Sequence, residues 1–81
     1  MATRYRRFRD MREDHDMTQK VLAEKLGVNP VQYSRYEHGT QDMPLYLLIE
    51  LARMYNTSTD YLLGLTDDPN PLPPPVAYPH K

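Results

Sequence analysis

Apolar and polar positions along this chain alternate with helical spacing in five stretches. Tyr5, Phe8 and Met11 recur every three residues and predict a first helix with one inward stripe. In the next stretch Leu22 and Leu26 lie four apart, with Ala23 beside them on the same face. Thr18 can cap that helix through its hydroxyl, while Val21 at the third helical position rules out a full capping box. Gly27 ends it, because the chain must there enter the left-handed region. A new start follows at once: Asn29 suits an N-cap, Pro30 suits the first helical position, and Gln32 stands where a capping-box partner would. The two helices must therefore meet at a sharp turn, and the small Ala23 suits that corner.

Beyond Gly39 the polar loop TQDM leads to Pro44 and a fourth helix. Leu45, Leu48, Ala52 and Tyr55 follow core spacing, with Leu51 and Ile49 close by; Glu50 and Arg53 face solvent. Tyr46, Leu47 and Met54 are left towards the outside, and Asn56 is a natural stop. Ser58 caps a last short helix, TDYLLG, which returns Leu62 and Leu63 to the core before Gly64. From Asp67 onward, DDPNPLPPPVAYPHK is too rich in proline for a helix or an interior strand. The expected organisation is all-α: a five-helix domain over residues 1–66 and an extended or disordered Pro-rich tail over residues 67–81.

The third helix divides into two unlike faces. At about 100° per residue, Tyr33, Tyr36 and Glu37 fall on one side and should pack inward. Val31, Arg35 and His38 fall on the other, flanked by Gln32 and Ser34. That second side combines a methyl-bearing group, a fork-shaped cation and hydrogen-bonding groups, the chemistry needed to read base edges.

Here the stretch TQKVLAEKLGVNPVQYSRYEHG resembles the helix-turn-helix of phage repressors and Cro-like regulators, the Xre type. Gln19, Ala23, Gly27, the large apolar residue at 33 and SRYEHG from Ser34 carry the resemblance, and NTSTDYLLG extends it to the closing helix. It covers roughly residues 4–66 and implies a lambda-repressor-like fold that binds DNA. Carried over by position, it implies that Gln19 grips a phosphate, with Lys20 and Ser34 as neighbouring candidates. It places base readers at Pro30, Val31 and Arg35, with Gln32 adjacent. Pro30 has no N–H and offers van der Waals contact alone; Val31 suits a thymine methyl and Arg35 a guanine. The resemblance also pairs Arg12 with Glu37 as a structural salt bridge. Spacing alone had already placed Arg12, four residues after Phe8, at the margin of the apolar stripe, where it needs a partner.

Charge modifies this picture without overturning it. The formal net charge is −1, whereas basic domains are the rule for nucleic-acid binders. Through Gly39, however, eight Lys/Arg face six Asp/Glu, and from Thr40 two face five, so the positive half holds the reading helix. Arg4, Arg6, Arg7 and Arg9 on the first helix add cations that can approach phosphates. The loop Thr40, Gln41 and Asp42 is not basic, which should weaken backbone binding.

Other chemistry is sparse. The cluster Glu13, Asp14 and Asp16 reads as a polar connection, and His15, His38 and His80 have no metal-ligand spacing. No glycine-rich phosphate loop or nucleophile elbow occurs, so no enzyme activity, metal or cofactor is expected. The absence of cysteine suits a reducing cytoplasm, no apolar run approaches the ~18 residues of a membrane span, and the basic N-terminus lacks a signal peptide's apolar core. The expected function is sequence-specific double-stranded DNA binding in transcription regulation, by a repressor that occupies its operator as a homodimer on a two-fold-symmetric site. The alternative is an antitoxin-like or other protein-interaction module with a protein partner and secondary DNA binding.

Overall fold

The computed structural model describes residues 5–72. Among these the chain forms helices α1 (Arg6–Asp14), α2 (Gln19–Leu26), α3 (Pro30–His38), α4 (Leu45–Met54) and α5 (Thr59–Leu63), with no strand. Each of the last four starts where the side chains direct. The Thr18 hydroxyl accepts from the Val21 N–H, Asn29 Oδ1 from the Val31 N–H, and Ser58 Oγ from the Tyr61 N–H, while Pro44 precedes α4 without a side-chain cap bond. Gln32 does not complete a capping box at α3; its amide lies instead on Tyr36.

The corner between α2 and α3 depends on Gly27. Its φ of 74° is left-handed, and the reversed chain lets the Val28 N–H reach the Ala23 carbonyl at 3.0 Å. Ala23 is fully buried at that corner, and the two helices share the most extensive contact in the domain. Asn56 ends α4 in a similar way, at φ 54°.

Phe8, Leu22, Tyr33, Leu51 and Leu62 are the largest fully buried side chains, and between them they join all five helices. Tyr5 and Met11 pack on this core from α1, as their spacing predicts. On α4 the spacing misleads. Leu47, expected outside, is 3% exposed, whereas Leu45, expected in the core, is 76% exposed. Ile49 is also exposed, and Met54 packs against the core. The buried arc is Leu47, Leu48, Leu51, Ala52 and Tyr55, turned away from the expected one. The run Leu45–Ile49 contains no charged residue to mark a solvent side, so its periodicity leaves the rotation of the helix open. Tyr46 is exposed as expected, and it joins Leu45 and Ile49 on the outer face.

Arg7 closes the domain. Its Nη1 donates to the Tyr61 carbonyl at 2.9 Å and to the Thr66 carbonyl, its Nη2 meets Asp67 Oδ1 at 2.7 Å, and its guanidinium lies 4.0 Å from the centre of the Tyr61 ring. The buried Thr57 hydroxyl donates to the Pro69 carbonyl at 2.7 Å. Residues 66–69 thus form a strap without helix or strand, laid on the helices. Proline excludes regular structure there, but its carbonyl remains an acceptor. Arg4, His80 and the tail beyond Leu72 lie outside the described residues.

Arg7→Ala is expected to lower stability by about 2 kcal/mol, since it removes a ring contact and charge-assisted bonds to carbonyls. Asp67→Asn should cost less than about 1 kcal/mol, because that carboxylate is solvent-exposed. Denaturant midpoints for both variants check the order; equal losses would place the strength of the strap in the ion pair.

Candidate nucleic-acid interface

The outer face of α3 is held at a fixed attitude by groups on its inner face. Glu37 is 3% exposed and accepts from the Arg12 fork in two places: Nε to Oε2 at 2.9 Å and Nη2 to Oε1 at 3.0 Å. The remaining terminal nitrogen, Nη1, donates to the Met17 carbonyl at 2.9 Å, and Gln19 Nε2 donates to Glu37 Oε1 at 3.1 Å. One carboxylate therefore joins α1, the α1–α2 connection, α2 and α3. Burial pushes the Glu37 carboxyl up, but the hydrogen bonds from Arg12 and Gln19 and the charge of Arg12 outweigh it, so the group ionises below the usual carboxylate range. Its hydrogen bond to Glu37 raises the Arg12 guanidinium in turn. Tyr33 and Tyr55 present buried hydroxyls close by, and burial pushes both above the usual phenol range.

On the outer face, Pro30, Val31, Arg35 and His38 are exposed, while Gln32 and Ser34 are half-buried. Val31 keeps 61% of its surface open. The Arg35 guanidinium has no hydrogen bond or ion pair among the described residues, and its backbone carbonyl accepts from Thr40 and Gln41, closing the helix. Lys20, exposed in the first turn of α2, is likewise unpaired among the described residues. The other candidates are engaged within the chain. Gln32 Nε2 donates to the Tyr36 hydroxyl at 3.1 Å. His38 Nδ1 donates to the Ser34 carbonyl at 2.8 Å and lies 3.2 Å from Ser34 Oγ. Both pairs are four apart on one helix, a spacing visible in the sequence. The tie from Gln19 to Glu37 spans two helices and has no such local signal.

The first helix offers fewer free cations than its composition suggests. Arg6 and Arg9 form ion pairs with Asp10 and Glu13, each one turn on, and Arg7 is held in the strap. The His15 ring lies 4.7 Å from that of Tyr55 with Nδ1 on the Met11 carbonyl, a structural contact. Among the described residues no group of His, Cys, Asp and Glu can hold a metal ion, and no helix is long and apolar enough to cross a membrane.

The sequence profile of the helix-turn-helix family matches residues 8–62, from the first turn of α1 into α5. The chain belongs to that family. Within this helix-turn-helix domain, α2 and α3 are the two helices of the motif, and the resemblance to phage repressors rests on the same residues. The chain is 48% identical over 65 residues to the uncharacterized HTH-type transcriptional regulator YobD of Bacillus subtilis, covering 80% of this chain and 58% of that protein. It is 41% identical over 59 residues to the HTH-type transcriptional regulator ImmR of the same organism, covering 73% and 46%. It is 37% identical over 49 residues to the cryptic phage CTXphi transcriptional repressor RstR of Vibrio cholerae, covering 60% and 44%. The chain thus spans about half the length of the curated relatives it matches. No solved structure gives a significant match.

Glu37→Ala and Arg12→Ala are each expected to cost the helix-turn-helix domain about 3 kcal/mol, because each strands a charge where water is scarce. Since the folded-state carboxyl ionises below its unfolded value, its contribution is complete above about pH 4.5 and is lost as pH falls through the lowered value. Glu37→Gln should therefore flatten the loss of stability between about pH 6 and about pH 3. Denaturation midpoints across that range check it; an unchanged slope would mean the carboxyl is not the titrating group.

Proposed function

We propose that this chain binds double-stranded DNA sequence-specifically through the outer face of α3 and regulates transcription, repressing it by occupying an operator. The observation that carries the reading is the pairing of an exposed Arg35, unpartnered among the described residues, with a well-exposed Val31 on a helix fixed from behind by Glu37. A guanidinium fork spans O6 and N7 of a guanine, and a valine methyl suits a thymine methyl. Gln19 and Lys20, at the start of α2, are the backbone contacts, with Ser34 beside them. Gln32, Ser34 and His38 are left to secondary roles by their internal bonds, and Pro30 to van der Waals contact. Membership of the helix-turn-helix family and the named regulators among its relatives favour this reading over a protein-interaction module. The mechanism asks for no catalytic step.

In vitro selection of duplexes from a random pool tests the proposal directly. On the selected operator, Arg35→Ala should relax preference at one symmetric pair of base positions, by about 1–3 kcal/mol. Gln19→Ala should weaken all sequences about equally and leave the salt slope nearly unchanged, because the group is neutral. A uniform loss for Arg35→Ala would make it a phosphate contact, and a parent protein without base preference would remove the proposal.

The same reading includes a homodimer, in which two reading helices lie about 34 Å apart along one turn of DNA. Leu47 is buried and cannot supply the contact, so the outer face of α4 offers Leu45, Tyr46 and Ile49 instead. Tyr46→Glu should lower self-association and operator affinity together without loss of fold, as read by sedimentation and titration. Leu47→Glu, in contrast, should unfold the domain. Operator bound by one copy at every concentration would discard the dimer.

A further inference from the structure

We infer that Glu37 is a positioning residue for DNA binding: its carboxylate holds the Gln19 amide so that the amide's second N–H is aimed at a DNA phosphate. The inference rests on the proposed role of Gln19 as a backbone contact. A primary amide carries two N–H donors and one carbonyl. One donor of Gln19 is on Glu37 Oε1 at 3.1 Å, and the other groups of that amide are unbonded among the described residues. The carboxylate itself cannot turn, because the Arg12 fork occupies both oxygens at 2.9 and 3.0 Å and is anchored in turn on the Met17 carbonyl.

Two physical consequences follow. A free glutamine samples many rotamers and loses that freedom on grasping a ligand. A glutamine already tied at one donor has lost much of it beforehand, which raises affinity without adding a contact. Charge matters as well. A bare carboxylate next to the phosphate contact would repel the anion, but Arg12 sits directly on Glu37, so the pair is close to neutral from outside. The ion pair thus supplies a rigid acceptor for Gln19 without the field of an unpaired anion. Gln19 also occupies the first position of α2, whose backbone N–H groups favour an anion at the same place.

The test is made on the full chain by side-chain amide relaxation, with the exposed Gln41 as the internal reference. The Gln19 amide is expected to be ordered in the free protein and to gain mobility towards that of Gln41 in Glu37→Gln, whose amide carbonyl is a weaker acceptor than the carboxylate. On the selected operator, Glu37→Gln should lower affinity about two- to tenfold, and the double variant isolates the share that passes through Gln19. Gln19→Ala should then remove less affinity in the Glu37→Gln background than in the unsubstituted chain. A Gln19 amide as mobile as Gln41 in the unsubstituted chain, or losses that simply multiply, would overturn the positioning role while the phosphate contact stands. If Gln19→Ala leaves affinity unchanged although its amide is ordered, the contact itself is wrong and the positioning role falls with it. Should Glu37→Gln fail to fold, amide order in the unsubstituted chain decides the matter, because mobility there is sufficient to refute it.

Discussion

The buried pair of Arg12 and Glu37 is the constraint on which the rest of the domain depends. Two charges taken out of water recover their solvation only if nearly every donor and acceptor finds a partner. Here the guanidinium uses Nε and Nη2 on one carboxylate and its third nitrogen on the Met17 carbonyl, and the carboxylate takes a further bond from Gln19. A hydrophobic pair in the same place would hold α1 and α3 together across a range of small rotations. Directed bonds of about 3 Å permit far fewer. The attitude of α3 is therefore set from its inner face, while the chemistry of its outer face remains open to vary.

That outer face works with little. Pro30 has no donor, the Gln32 amide is on Tyr36, and the His38 ring is on Ser34. On the proposed reading, selective contact concentrates on Arg35 and Val31, a cation and a methyl group, placed in the half of the chain where basic residues outnumber acidic ones. The cations of α1 are similarly committed, since Arg6, Arg7 and Arg9 are engaged with carboxylates or carbonyls of their own chain.

Much of this was legible in the sequence because it is local. Thr18, Asn29 and Ser58 cap what they should, since a cap is decided within three residues, and Gly27 marks the corner for its φ alone. The two faces of α3 differ enough in polarity to fix which side is buried. Where polarity gives no contrast the reading fails: the run Leu45–Ile49 is apolar on every side, and only its tertiary neighbours decide that Leu47 enters the core and Leu45 does not. The strap shows another limit. Proline reports on backbone hydrogen bonding within its own segment and is silent on what its carbonyl accepts from Thr57, twelve residues earlier. Arg12 announces that it needs a partner, but only resemblance pointed to Glu37. Nothing in the sequence pointed to Gln19 as the third member.

The strap also has a bearing on the order in which the molecule is assembled. Arg7 lies in the first of the five helices to be synthesised, yet its partners at Tyr61, Thr66 and Asp67 follow 54 to 60 residues later. The contacts of α2 with α3 span neighbouring segments and can form early, whereas this closure has to wait for nearly the whole domain to emerge. Until then the inner side of α1, with Phe8 and Met11, has no lid from α5 or the strap. A nascent chain at that stage exposes apolar surface for chaperones or proteases to find, and the last few residues of the domain end that exposure. The strap that completes this closure begins at Thr66, beyond the matched family segment, which ends at residue 62.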